Sequence, residues 1–195
     1  MSSIRVFIEQ KLKLKVNEQK TSICRPITFH SLGYNFISTY KRGGNEYRLR
    51  VSPKRFDQMK SRVKEITCKT RPVSFKQRVY ELNSYLIGWI GYFRYAFMQG
   101  KLKALDYWIR RRLRYCIWKH WKKPNKRMRS YIRMGVSKGI AYSWSRSRMG
   151  GWAIAGSPIM LTTITLARLK RRGYMEFSEY YKRFSIVLNP PLKLF

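Results

Sequence analysis

The order of apolar and polar residues divides the chain into a short β-rich beginning and a long helical remainder. Over residues 4–14, apolar side chains recur at helical spacing, with charged side chains on the opposite face. Residues 15–24 are predicted to be extended. The stretches 31–39 and 46–51 are aromatic, β-branched or alternating, and the KRGGN sequence at 41–45 is typical of a hairpin turn. This first part of the chain therefore predicts a helix and a small antiparallel sheet.

From Ser52-Pro53 onward the periodicity is helical, and proline after a serine cap is a favoured helix start. Helices are predicted over residues 53–67, 74–98, 103–122, 126–134, 138–147, 158–172 and 176–183. Gly88 and Gly91 are expected to permit close packing between helices, and the tail from Asn189 is expected to be loose. The predicted fold class is α+β, with a small antiparallel sheet and a helix at the N-terminus followed by a mainly α-helical domain.

The charge of the chain extends this prediction from fold to function. The 195 residues include 43 Lys and Arg against 9 Asp and Glu, a formal net charge of +34, together with 14 Tyr and 6 Trp. So many like charges in one compact body are unfavourable unless a polyanion neutralises them. Cations select phosphate, and aromatic rings offer flat faces for unstacked bases. Because 44% of the residues are hydrophobic, which is enough for a real core, we predict a folded nucleic-acid binder, with RNA ahead of duplex DNA.

The residues that most enzymes need are scarce in this sequence. Neither of the two aspartates is next to another acid, and no metal-binding or phosphate-binding motif occurs, so we expect no metal, no cofactor and no two-metal catalysis. His30 and His120 lack a paired acid or cysteine in the sequence, which makes nucleophilic catalysis the weaker alternative. Three widely spaced cysteines, no segment long enough to span a membrane and no signal peptide together predict a cytoplasmic protein without a membrane partner.

The densest cluster of cations and aromatic rings lies at 102–133. As a helix, its first part places an apolar stripe toward the core, made of Leu102, Leu105, Ile109, Leu113, Cys116 and His120. Another face carries arginines with two tryptophans at its end, which suits phosphate binding and base stacking. The predicted RNA-contacting residues of this segment are Arg110, Arg111, Arg114, Trp118, Lys119, Trp121, Lys122, Lys123, Lys126 and Arg127. The alternative is a solvated basic face with two half-buried tryptophans that pack on the next helix.

Two further basic clusters are candidate RNA contacts. Arg146 and Arg148 precede the pair Gly150-Gly151, where small residues would let the backbone approach a phosphate; the alternative is that the glycines close the C-terminus of a helix. Arg171 and Arg172 lie in the last turn of the predicted helix 158–172, where basic residues also suit the helix dipole.

The order of motifs along the chain resembles a known family. The segments are ELNSYLIGWIGYFRYA at 81–96, LDYWIRRRLRYCIWKHWKKP at 105–124 and SRMGGWAIAGSP at 147–158. Together they closely resemble the maturase-specific domain of bacterial group II intron-encoded proteins, also called domain X or the thumb. The sequences FIEQKLKLKVNEQKTSICRP and FHSLGYNF, within residues 7–36, resemble the last palm segments of the reverse transcriptase in the same proteins.

This resemblance implies a division of the chain into four parts. They are the truncated end of a reverse-transcriptase palm at 1–52, a connecting helix or linker at 53–73, a maturase-specific domain at 74–184 and a tail at 185–195. The chain is expected to begin downstream of the Tyr-x-Asp-Asp catalytic strand of the family. It therefore lacks the catalytic aspartates, and we expect that it is not an enzyme and does not polymerise DNA by itself.

Members of this family belong to mobile genetic elements, bind their own intron RNA, assist its splicing and copy it into DNA. The resemblance thus implies that this chain binds and stabilises group II intron RNA, with an RNA/DNA primer–template duplex as a further ligand. Two alternatives stay open. The chain is the C-terminal portion of a split RNA-directed DNA polymerase that needs the fingers and palm from a separate chain, or it is a non-functional remnant with generic polyanion binding.

Overall fold

The computed structural model describes residues 2–17, 21, 23–41 and 44–188. These residues form two compact units, one within 2–52 and the other within 53–188. The first contains the sheet and the second is helical, so the α+β prediction is confirmed. No helix in the described ranges is long and apolar enough to cross a membrane.

The first unit begins with a short helix and contains a three-stranded sheet. Helix α1 (Ser2–Val6) continues into a π-helical turn over Phe7–Lys11, and a 3₁₀ turn follows at Pro26–Thr28. Strands β1 (His30–Ser31), β2 (Tyr34–Lys41) and β3 (Gly44–Val51) pair antiparallel in the order β1-β2-β3. Residues 42 and 43 of the predicted hairpin turn lie outside the described residues, as does the tail from Asn189.

One turn in the sheet was not predicted. Residues 31–39 were predicted as one extended segment, but the chain reverses between β1 and β2 at Leu32 and Gly33, which have positive φ angles of 52° and 85°. Glycine adopts this left-handed region without steric cost, whereas leucine rarely does. The described residues within 15–24 form no strand, although that segment was predicted to be extended.

The second unit is a succession of nine described helices. They are α2 (Pro53–Ile66), α3 (Phe75–Tyr92), α4 (Gln99–His120), α5 (Pro124–Arg133), α6 (Lys138–Ser145), α7 (Gly151–Gly156), α8 (Pro158–Thr163), α9 (Leu166–Arg171) and α10 (Phe177–Leu188). Their ends follow local chemistry. The Ser74 hydroxyl accepts a hydrogen bond from the Gln77 backbone N–H at 3.1 Å and caps α3. Gly135 and Gly173, with φ angles of +94° and +91°, follow α5 and α9.

Three helix predictions need correction. The helix predicted over 74–98 ends at Tyr92. The helix predicted over 158–172 is two helices, because Ile164 leaves helical geometry and the Thr165 hydroxyl then caps α9 by accepting from the Arg168 N–H. Helix α7 was missed, since its sequence GWAIAG is short and rich in glycine and alanine.

Helix α4 supplies much of the core of the second unit. Leu102, Leu105, Ile109 and Leu113 are buried as predicted, but the stripe ends differently, because Cys116 is half-buried and His120 is exposed. The predicted role of Gly88 and Gly91 is wrong: a Cβ atom added at either position meets nothing within 4 Å. The close approach occurs at α7 instead. An added Cβ at Gly151 would lie 2.6 Å from the Tyr115 ring.

Candidate nucleic-acid interface

Positive charge is concentrated in the part of the chain that forms α4 to α9. The stretch from Tyr107 to Met175 contains 18 Lys and Arg and no Asp or Glu. These cations therefore lack carboxylate partners in their own segment. In the structure some of them are bound to backbone carbonyls or aromatic rings, Arg110 and Lys170 pair with Glu176, and others extend into solvent.

The solvent-exposed group is densest where α4 ends and α5 begins. Lys119, Lys122, Lys123 and Lys126 are all exposed. Lys123 is extended, with φ −97° and ψ 145°, and Pro124 opens α5, so the chain turns within this cluster. We call these four residues the lysine corner. Ammonium groups on long flexible stems suit phosphates of varied position.

The two tryptophans predicted to end this basic face are buried instead. Trp118 and Trp121 are only 7% and 8% exposed. The Arg127 guanidinium lies 4.0 Å from the centre of the Trp118 ring, and its Nε donates to the Trp121 carbonyl at 2.9 Å. Burial leaves neither indole with a free face for a base. Both tryptophans pack against residues of the next helix, α5, as the alternative interpretation of this basic face predicted.

Trp121 belongs to an aromatic cluster that joins α4, α5 and α6. Its ring meets the Tyr131 ring edge-to-face at 5.5 Å, and Tyr131 meets Trp144 in the same way at 6.0 Å. The Tyr131 side chain is fully buried, and this burial raises its pKa to about 12. The cluster fixes the orientation of α5, and with it the lysine corner.

Two of the predicted arginines hold the second unit together. Arg114 is 5% exposed and its Nε donates to the Ile164 carbonyl at 2.9 Å, between α8 and α9. Burial lowers the pKa of Arg114, and the charge of Arg110 lowers it further. Arg110 pairs with Glu176 at 3.2 Å, ahead of α10. The expectation that Arg114 lies on an accessible face is therefore corrected.

Arg111 is half-buried and bound to α7. Its Nε and Nη2 both donate to the Trp152 carbonyl, at 3.2 and 2.9 Å, and its guanidinium lies 4.3 Å from the centre of the Trp152 ring. The absence of a side chain at Gly156 makes this possible, since an added Cβ would lie 2.7 Å from Arg111 Nε.

In the cluster at 146–151, Gly151 differs from both interpretations of the glycine pair, whereas Gly150 is exposed with nothing within 4 Å of an added Cβ. Gly151 does not close a helix; it opens α7 and lies against the rings of Tyr115 and Trp118. The backbone thus approaches aromatic rings rather than an open surface. Arg146 and Arg148 are exposed, and the Arg146 guanidinium stacks on Tyr142 at 3.6 Å from the ring centre.

Arg171 and Arg172 are exposed at the end of α9, as a last-turn position predicts. The Arg172 guanidinium lies 5.6 Å from the centre of the Phe75 ring. Which of the predicted residues contact RNA stays a prediction, but of them, Lys119, Lys122, Lys123, Lys126, Arg146, Arg148, Arg171 and Arg172 are exposed.

Two arginines with structural roles, Arg78 and Arg112, were not predicted. Arg78 is buried and donates to the carbonyls of Ile66, Cys68 and Arg71, at the end of α2. Arg112 reaches the same end and donates to the Lys64 carbonyl at 3.0 Å, and burial lowers its pKa. Since both lie in basic helical sequence, nothing in the residue pattern separates them from solvent-facing arginines.

The acids of the second unit make no metal site. Within the described part of the chain, no three His, Cys, Asp or Glu side chains form a group that could hold a metal ion. Asp106 is buried and accepts hydrogen bonds from Tyr174 and from the start of α10.

The second unit is thus a basic, mainly helical domain with exposed cations at the junction of α4 and α5 and at the end of α9. Residues 56–135, from α2 to the end of α5, match the group II intron, maturase-specific domain. The predicted resemblance to the group II intron maturase-specific domain is therefore confirmed for this segment. Among curated proteins, none matches the sequence. The matched segment begins inside α2, ahead of the predicted start at Ser74; the predicted bounds 74–184 stay a prediction.

Proposed function

We propose that this chain binds group II intron RNA and stabilises its folded form to assist splicing. The maturase-specific domain at 56–135 supports the choice of RNA. The single observation that carries the mechanism is the lysine corner, which lies within this domain in a stretch of chain without acids. We further propose that the protein works in the cytoplasm.

The proposed mechanism is electrostatic. Folded RNA packs phosphates closely, and the exposed cations neutralise them and release bound counterions. No protein side chain makes or breaks a bond, because the intron supplies the chemistry. Buried residues such as Arg114 and Trp121 contribute by holding α4, α5 and α9 in position rather than by contacting RNA.

Competition binding tests the proposal. The purified chain is titrated with a labelled group II intron RNA at near-physiological salt, in the presence of unlabelled bulk RNA as competitor. A clear preference for the intron, followed by faster splicing of that intron in vitro, is the expected result. Equal binding to both RNAs would leave generic polyanion binding and overturn the proposal.

A second candidate function is suggested by the first unit, residues 2–52. Several of its large apolar side chains are exposed, among them Ile23 at 76% and Leu32 at 77%. This favours a unit that packs against further protein, as expected for the end of a reverse-transcriptase palm completed by a separate chain. In that case the complex would also hold an RNA/DNA primer–template duplex. DNA synthesis on such a duplex, dependent on both chains together, is the test.

A further inference from the structure

Trp152 is the one tryptophan with an exposed side chain in the described part of the chain, at 39% exposure. Trp118 and Trp121 are buried, and the other three are half-buried. A protein that stacks an indole on a base needs such an exposed ring. Trp152 directly follows Gly150-Gly151 in the second candidate cluster, but it was not itself among the predicted RNA contacts.

The ring of Trp152 is held in place from two sides. Arg111 binds its carbonyl with two hydrogen bonds and lies over its ring, as described above. Tyr115 meets the same ring edge-to-face at 6.0 Å. Gly151 and Gly156 bring α7 close enough to α4 for these contacts, because a Cβ at either position would collide with α4 side chains. An aromatic ring fixed before binding loses little conformational entropy when a base stacks on it.

A lysine contacts Tyr115, the ring that meets Trp152. Lys69, which is exposed, donates to the Tyr115 hydroxyl at 3.1 Å, and its ammonium lies 5.4 Å from the centre of that ring. Tyr115 and Trp152 thus form a pair of contacting rings, with Lys69 at one end and Arg111 at the other. Bases bind such rings through their faces while the flanking phosphates meet the cations.

We propose that Trp152 stacks on an unpaired nucleotide of the bound RNA, and that Lys69 and Arg111 attract the phosphates on either side. This inference rests on the proposed function and adds to it the base contact that Trp118 and Trp121 do not supply. It predicts that the protein recognises RNA in which at least one base is free of a duplex, because stacked neighbours cover both faces of a base inside a duplex.

The test compares Trp152→Leu with Trp152→Phe in the full chain. Both variants keep an apolar side chain against Arg111 and Tyr115, but only phenylalanine keeps a flat aromatic face. Tyr80→Leu, at a position on α3 where the tyrosine is 67% exposed, is the matched control. Thermal unfolding confirms that all three variants are folded. The probes are the group II intron RNA, single-stranded oligouridylate and a blunt RNA duplex of the same length.

We expect Trp152→Leu to weaken binding to the intron RNA and to oligouridylate by about 5- to 150-fold, and Trp152→Phe by no more than about threefold. Binding to the blunt duplex should not change in either variant. On irradiation, RNA that carries 5-iodouridine should crosslink to Trp152, and mass spectrometry of the digested protein locates the crosslink. Equal affinities of the Leu and Phe variants for oligouridylate would overturn the inference. Lack of intron preference in the unsubstituted protein would instead overturn the proposed function, and the oligouridylate comparison would still decide the role of Trp152.

Discussion

The Tyr174 hydroxyl donates a 2.7 Å hydrogen bond to the buried carboxylate of Asp106, 68 residues earlier in the chain. The same carboxylate accepts the backbone N–H groups of Phe177 and Ser178, at 3.0 and 2.8 Å. A residue of α4 thereby caps the first turn of α10. One of the few acids of this protein thus serves to join two helices that lie far apart in sequence.

Removal of this carboxylate should be costly. Asp106→Ala leaves the tyrosine hydroxyl and two helix N–H groups without their acceptor, and we expect a loss of about 3 kcal/mol or more in the free energy of unfolding. Tyr174→Phe removes one of the three hydrogen bonds and should cost about 1 kcal/mol. Urea denaturation followed by circular dichroism measures both. Asp57→Ala, at an exposed position of α2, is the control. A loss for Asp106→Ala as small as that of the control would disprove the capping role.

Alkaline pH should destabilise the fold through its buried tyrosines. Burial raises the pKa of Tyr131 from 10.0 to about 12, and the pKa of Tyr174 is raised by burial and by Asp106. Because the folded state retains these protons while the unfolded state releases them, this contribution to stability is complete below pH 10 and is lost as pH rises from 10 to 12 for Tyr131.

The Tyr131→Phe variant isolates this effect from the ionisation of lysines. Its ring contacts with Trp121 and Trp144 are kept, and the hydroxyl that it loses contacts Met160 Sδ at 3.8 Å. The urea midpoint of the variant should fall less than that of the unsubstituted protein between pH 9 and 11. Parallel declines would show that Tyr131 does not contribute.

The lysine corner should account for much of the salt dependence of RNA binding. Replacement of Lys119, Lys122, Lys123 and Lys126 with Ala removes four exposed charges, and of these only Lys119 lies over a buried ring, that of Trp118 at 5.8 Å. The binding constant K decreases as salt rises, so the slope of log K against log salt is negative. If all four lysines neutralise phosphates, the magnitude of this slope should be smaller by about 3 to 4 in the variant. Filter binding over a salt series measures this slope.

The control for this variant removes the same charge elsewhere. Lys54, Lys64, Lys76 and Lys103 are exposed on α2, α3 and α4, and their joint replacement with Ala changes the net charge equally. Its effect on the slope should be smaller. Equal effects of the two variants would mean that RNA responds to net charge alone.

Replacement of glycine with alanine should change the free energy of unfolding differently at three positions. At Gly151 a Cβ would collide with two aromatic rings, one of them buried, and we expect Gly151→Ala to cost about 1–3 kcal/mol through overpacking. At Gly156 the obstacle is the end of the long Arg111 side chain, which can move aside more readily than a ring, so the cost should be smaller. At Gly88, exposed in α3, nothing lies within 4 Å, and Gly88→Ala should stabilise by about 0.5–1 kcal/mol. Melting temperatures of the three variants provide the ranking, and a stabilised Gly151→Ala would contradict it.

The residue pattern predicts most of the secondary structure, since helical periodicity and turn residues act over a few neighbours. Leu102, Leu105 and Ile109 are buried because each lies three or four residues from the next on one helix face. Where local signals were weak, prediction failed. The run GWAIAG has too little periodicity to indicate α7, and Ile164 gives no warning that it interrupts a helix.

The maturase-specific domain was predicted from the sequence, whereas the exposure of its predicted residues depended on the fold. Net charge and the order of motifs are properties of the sequence, and they were enough to indicate a maturase-specific domain. Net charge and motif order could not predict that Lys122 is exposed while its neighbour Trp121 is buried. Both are large side chains at the end of one helix, and only the position of Tyr131 on α5 decides which of them is covered.

The four arginines between positions 110 and 114 separate what the sequence determines from what the tertiary structure decides. The sequence itself fixes that four arginines lie on one helix and that successive side chains diverge by about 100° around its axis. The tertiary structure decides what each one binds: Arg111 the Trp152 carbonyl, Arg112 the end of α2 and Arg114 the Ile164 carbonyl. These acceptors lie 41 to 50 residues away along the chain. Periodicity acts within a single helix, so it determined the directions of the arginines, whereas their partners depended on how distant helices pack.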